Sequence, residues 1–146
     1  MERLTIRQKK QILHAIESVE HETSGELRVH LSYSKEEPNI LESAKARFQA
    51  LKMEQTRDRN GILLYLNPRL HRFSVYGDIG IHEKVGQTFW DELAQNIRNA
   101  IREKNLTHGI IHAVEAMGRA LKTHFPHAPN QNQDPNELEN DVSESD

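Results

Sequence analysis

The stretch ILLYLNPRLHRFSVYGDIGIHEKVG, Ile62 to Gly86, decides how the chain must be laid out. Its opening run, Ile62 to Leu66, is uninterruptedly apolar, the pattern of a strand buried on both faces. Asn67, Pro68, Arg69 and Leu70 turn the chain, and HRFSVY, residues 71–76, reads as another strand. So short a connection makes the pair an antiparallel hairpin. Gly77, Gly80 and Gly86 then bring backbone freedom, together with Asp78, His82 and Glu83, to the junction with a helix-like run.

Working upstream, ELRVHLSY (26–33) alternates Leu27, Val29, Leu31 and Tyr33 with Glu26, Arg28, His30 and Ser32. Period two predicts a strand with one wet or shared face. Between the two strands, Asn39 and Glu42 form a capping-box pattern ahead of Leu41, Ala44, Phe48 and Leu51, which predicts a helix over 40–54. A strand, helix and strand in this order make a right-handed parallel crossover. Thr5 and Gln8 open an earlier helix carrying Ile12, Leu13, Ile16 and Val19, and Gly25 suits its stop. Downstream, Thr88 and Asp91 fit a helix start, with Phe89, Trp90, Leu93, Ile97 and Ile101 as its apolar face. Thr107 is placed to cap a last helix carrying Ile110, Ile111, Val114, Met117 and Leu121, ended by FPHAP. The order α-β-α-β-β-α-α predicts an α/β fold, a three-layer α/β/α sandwich around a small mixed sheet.

At 146 residues this is one domain, long enough to bury roughly 70% of its unfolded surface. The chain holds no cysteine, which excludes disulfides, zinc–thiolate sites and cysteine nucleophiles. No apolar run reaches the length of a membrane span. MERLTIRQKK lacks the apolar core of a signal peptide, so a cytoplasmic protein is expected. Of the 22 acids, six fall in residues 127–146, where no Lys or Arg occurs; residues 1–126 keep 19 basic against 16 acidic side chains. That surplus is too mild for nucleic acid, and no basic stripe with interleaved aromatics accompanies it. The domain is read as 5–126, and the acidic, Asn/Pro-rich tail 127–146 as mostly disordered.

The predicted topology brings distant polar residues together. The starts of the first two strands (Ser24, Gly25, Glu26 and Asp58, Arg59, Asn60) and the end of the third (Gly77, Asp78) fall at one edge of the sheet, with His82 and Glu83 directly after. A hard cation such as Ca²⁺ takes carboxylate, amide and carbonyl oxygens from a bendable loop. Asp78, Asp58, Asn60, Glu83 and Glu26 are therefore the candidate ligands. The competing reading has Asp78 capping a turn or helix and pairing with Arg59. The histidines at 108 and 112 share one helix face at i, i+4, a spacing that suits solvated side chains or adventitious metal. GDIGIHEKVG matches neither a dinucleotide fingerprint nor a P-loop.

TSGELRVHL (23–31), TRDRNGILLYL (56–66), VYGDIGIHEKVGQTFWDEL (75–93) and HGIIHAVEAMGRALKTHFP (108–126) together resemble the TPM domain family. That family includes a thylakoid-lumen phosphatase-like protein, a photosystem II repair factor and a receptor-accessory protein. The resemblance covers about residues 5–126, and NEL at 136–138 extends it. It implies a Rossmann-like sandwich in a soluble, stand-alone member. It also implies calcium binding, transferred to Asp78 and its loop neighbours, and in one branch acid phosphatase activity. Two functions follow. In one, a divalent cation rigidifies loops 54–61 and 77–87, which present a surface to a protein partner. In the other, a metal-assisted phosphomonoesterase uses Arg59 to hold phosphate, Asp78 as nucleophile or metal ligand and His82 as acid. No Cys-x₅-Arg, Asp-x-Asp or Arg-His-Gly motif supports the second, so whether the chain is an enzyme stays open.

Overall fold

In the computed structural model, which describes residues 3–127 and 142–146, the apolar run forms the strand Gly61–Asn67, and all seven of its residues are buried. Here it is β2, because β1, Glu26–Ser32, precedes it. Ile62, Leu64 and Leu66 face one hydrophobic cluster, and Leu63 and Tyr65 face another. The first cluster is covered by helices α1 (Ile6–Glu20), α3 (Ile79–Arg102) and α4 (Leu106–His124); the second lies beneath α2 (Ile40–Ala50) and a short 3₁₀ turn, Met53–Gln55. An apolar strand therefore sits between two apolar layers, as its composition requires.

β3, Arg72–Gly77, returns antiparallel along β2, pairing Gly77 with Ile62 and Arg72 with Asn67. β1 lies parallel to β2, with Glu26 opposite Gly61 and Leu31 opposite Leu66. The α/β sandwich with one parallel crossover and one hairpin is as the sequence predicts. The second face of β1 is shared rather than wet: Glu26, Arg28, His30 and Ser32 are all buried, and the His30 ring stacks on Tyr65 with centroids 5.1 Å apart.

Four local expectations need correction. The tail reading fails at its end, because Val142–Ser145 forms a further strand, β4, parallel to β1, giving the order β3-β2-β1-β4. Residues 128–141 of that tail lie outside the described residues. The helix expected from Thr88 follows a break at Gly86, and a helical segment that the sequence pattern did not show precedes it from Ile79, capped by Asp78. α3 is these two segments joined at Gly86, whose φ of 77° and ψ of 172° suit only glycine. α4 is capped at Asn105, so Thr107 lies inside it. Gly25 is not a helix stop: α1 has already ended at Glu20, with the His21 N–H donating to the Val19 carbonyl. The first capping box holds in full where the sequence places it, and the second holds as a one-sided cap. Thr5 and Gln8 satisfy each other's backbone N–H at 3.1 and 2.8 Å, and Asn39 accepts from the Glu42 N–H at 3.2 Å.

Candidate functional site

The rim of the sheet is assembled by main-chain bonds. The Asp78 N–H donates to the Gly61 carbonyl at 2.9 Å, and the Gly80 N–H donates to the Arg59 carbonyl at 2.8 Å. Arg59 adopts a left-handed conformation, φ 51°, which non-glycine residues rarely take and which turns its carbonyl toward α3. Gly80 completes the fit. A Cβ there would sit 2.0 Å from the Asp58 carbonyl oxygen and 2.6 Å from that of Arg59. Only glycine lets the first turn of α3 abut the 57–60 loop.

The Asp78 carboxylate is 3% exposed and fully engaged. Its Oδ1 accepts from Arg59 Nη2 at 2.7 Å and from the Ile79 N–H at 2.8 Å; its Oδ2 accepts from Arg59 Nε at 2.6 Å. This is a bidentate, charge-assisted pair placed at a helix N-terminus, where a negative charge is favoured. Hydrogen bonding to Asp78, reinforced by its charge, raises the Arg59 pKa further above its ordinary value. The guanidinium side chain is nonetheless 50% exposed, so one partner is buried and the other half in water.

Asn60, next along the chain, is buried, with Nδ2 donating to Ser24 Oγ at 3.3 Å and its N–H donating to Thr56 Oγ1 at 3.3 Å. Its Oδ1 is buried and accepts nothing; among the described residues Glu54 Oε2 is in the same position. Burying an acceptor unsatisfied costs about 1–3 kcal/mol.

The remaining candidates are dispersed. Asp58 is exposed, 4.0 Å from Arg57. Glu83 points to solvent from α3. Glu26 is buried at the start of β1. His82 is exposed, and its Nδ1 accepts from the Trp90 indole N–H at 2.9 Å, so the other ring nitrogen carries the proton. The predicted catalytic trio thus reduces to a closed Asp78–Arg59 pair with His82 one turn along α3. Among the described residues no three His, Asp or Glu side chains gather as a metal cluster. The rings of His108 and His112 lie 4.4 Å apart, tilted by 48°, on the exposed face of α4.

Two buried polar sites escape the sequence reading. Near the other end of β2, Glu37 accepts from the Tyr65 hydroxyl and from Asn67 Nδ2, the latter at 2.8 Å. Along β1, His30 meets the hydroxyls of Ser143 and Ser145 at 2.7 and 2.8 Å. Burial, and secondarily the charge of Arg47, lowers its pKa to about 4. The available signal was polar residues at the inward positions of otherwise apolar strands: Tyr65 and Asn67 in β2, His30 in β1.

A TPM domain model matches residues 2–120. Among solved structures, the chain is similar to the BA42 protein of the psychrophilic bacterium Bizionia argentinensis. The two share 35% identity at a TM-score of 0.86, over 99% of this chain and 97% of that one. It is also similar in fold to the N-terminal domain of the cg2496 protein of Corynebacterium glutamicum, at 12% identity and a TM-score of 0.64, over 90% of this chain and 79% of that one. No curated protein matches. No described helix is long and apolar enough to cross a membrane.

Proposed function

The chain belongs to the TPM domain family, and on that premise we propose that it is a calcium-responsive binding module whose cation exchanges with the Arg59 guanidinium at Asp78. The supporting observation is the buried, unpartnered Oδ1 of Asn60, one residue from the half-exposed group that neutralises Asp78. A hard cation accepts a carboxylate, an amide oxygen and main-chain carbonyls in one shell. Asp78 and Asn60 fit that chemistry as they stand. Asp58 and Glu83 fit it by residue type alone, since both side chains lie in solvent.

A bound cation neutralises the oxygens now shared with Arg59. The chain's own residues do the rest. Arg59 turns into solvent, and its loop stays pinned to α3 through Gly80. Ile79, 54% exposed beside Asp78, stands with the released guanidinium as an apolar and cationic pair for a protein partner. The phosphatase alternative would need Arg59 for phosphate and Asp78 for attack. It has no phosphatase motif behind it, and no observation favours it.

The test is a Ca²⁺ titration followed by backbone amide shifts, with hydrolysis of p-nitrophenyl phosphate assayed alongside. Shifts confined to 58–60 and 77–80, absent in Asp78→Asn and without turnover, are expected. No shift up to about 10 mM Ca²⁺, weaker than the extracellular class of sites, sinks the module. Turnover lost in Asp78→Asn would assign the enzyme instead.

A further inference from the structure

The outer edge of β1 is covered by residues 142–146. β4 pairs Val142 to Ser145 with Val29 to Ser32, and the Tyr33 N–H donates to the Ser145 carbonyl at 2.9 Å. Side chains leave β4 alternately on two sides. On one, Ser143 and Ser145 put their hydroxyls on the two ring nitrogens of His30. On the other, Glu144 accepts from Lys9 Nζ at 2.9 Å and from the Tyr33 hydroxyl at 3.0 Å. Asp146 pairs with Arg3, whose guanidinium lies 4.3 Å over the Tyr33 ring. Hydroxyl, acid, hydroxyl, acid: the two hydroxyls share His30, and each acid meets a cation of its own.

The covering strand is held more lightly than the strand it covers. β4 is four residues long and mostly half-buried, and the Arg3–Asp146 pair is in solvent. β1 is buried along its whole length. Departure of β4 would bare a row of unpaired main-chain groups, a template for another strand.

We propose that this edge is a recognition slot for an extended acidic segment of another protein, bearing hydroxyl and acidic side chains in alternation, and that residues 142–146 occupy it as a competitor in cis. This is strand addition: main-chain bonds supply affinity and alternate side chains supply specificity. Lys9 and Arg3 favour an acidic arrival over a basic one. The resident segment belongs to the same chain, so an incoming segment competes with an intramolecular strand and gains once that strand is weakened. The slot is separate from the Asp78 rim and does not depend on calcium.

The probe is a fluorescein-labelled peptide Asp-Val-Ser-Glu-Ser-Asp, the sequence of residues 141–146, followed by anisotropy against the full chain. Ser143→Pro removes both a main-chain N–H and the hydroxyl facing His30, and leaves the slot untouched. This variant is expected to bind the peptide at least about tenfold more tightly than the native chain. A peptide with both serines replaced by alanine is expected to bind at least about tenfold more weakly. Equal binding of a scrambled peptide of the same charge would reduce the site to charge attraction and overturn the proposal. So would no binding of the peptide to Ser143→Pro at about 5 mM, the millimolar range of a weak strand-addition contact. A native dimer in which 142–146 is exchanged between copies would also overturn it, naming a second copy as the occupant. If Ser143→Pro does not fold, the isotope-labelled native chain decides. The amides of Ser143, Glu144 and Ser145 move to unfolded-chain positions as unlabelled peptide saturates, and unmoved amides overturn the slot.

Discussion

The two ends of β2 bury acids in opposite ways. Beyond Tyr65, Glu37 is held by neutral donors that are themselves strand residues: the Tyr65 hydroxyl and the Asn67 amide. Asn67 also donates to the Ser34 carbonyl at 3.0 Å, and Arg72 Nη1 donates to the Glu37 carbonyl at 2.9 Å. Burial would raise the Glu37 pKa, but donation from Tyr65, Asn67, Ser43 and Ser32 outweighs it and holds the carboxyl below its usual 4.5. At the other end, Asp78 is held by the Ile79 N–H and by one half-exposed guanidinium on a left-handed loop residue, whose neighbour in sequence, Asn60, keeps an amide oxygen with no donor. Donors built into a strand cannot leave without unfolding it. A guanidinium in water can. The first arrangement is architecture; the second is where something can be exchanged.

The largest test of that contrast is Glu37→Ala. Two buried donors lose their acceptor, so a loss of about 4 kcal/mol is expected from urea unfolding, the same with and without Ca²⁺. A loss under about 1 kcal/mol, the worth of an ordinary exposed contact, would make the Glu37 end as replaceable as the rim.

Next in size is acid. His30, packed between Tyr65 and β4, titrates near 4 when folded and near 6.5 when unfolded, through burial and then Arg47, opposed by Glu37 and Glu144, with Arg28 adding to the lowering. The unfolded chain therefore takes the proton first. The stability that neutral His30 contributes is complete above about pH 6.5 and is lost as pH falls toward about 4, by about 3 kcal/mol in all. Glu37 and Glu144, both held below 4.5, add their losses at lower pH. Urea midpoints at pH 7, 6 and 5 read the His30 part, and a flat profile across that range would refute it. His30→Gln is expected to remove the slope.

Much of this was legible in residues 62–86. An apolar run, a four-residue turn and an alternating strand admit one arrangement, and that arrangement carries Asp78 to Arg59 and Asn60 without further information. What the sequence hid depended on pairings with no local signature. β4 has one apolar residue in four, and its reason to dock is His30, more than a hundred residues earlier. The start of α3 was hidden by Gly86, whose break looks like a loop although helix lies on both sides of it. The ion pair at Asp78 was one of two readings. Residue types alone do not separate a ligand carboxylate from a capping one, because both sit on a glycine-rich turn.

A smaller effect is expected at the rim itself. Asp78→Asn keeps a capping oxygen for the Ile79 N–H and loses the charge that pairs with Arg59. About 1–2 kcal/mol of stability should go, together with any Ca²⁺-dependent gain in urea midpoint. A full Ca²⁺ response in this variant would move the cation elsewhere.

The smallest stability change carries the sharpest distinction. Arg59→Gln removes a guanidinium that is half in water, so screening keeps the stability loss below that of Asp78→Asn. If Arg59 only braces the loop, the variant is slightly weaker and Ca²⁺ is irrelevant to it. If Arg59 is a resident cation in competition for Asp78, its removal lets Ca²⁺ bind without displacing anything, and affinity rises by a few-fold, about the worth of a half-exposed ion pair. Calorimetric titration of native chain and variant, side by side, reads the difference. Tighter binding in the variant separates the exchangeable end of β2 from the fixed one; weaker binding would put Arg59 among the groups that support the cation and refute exchange.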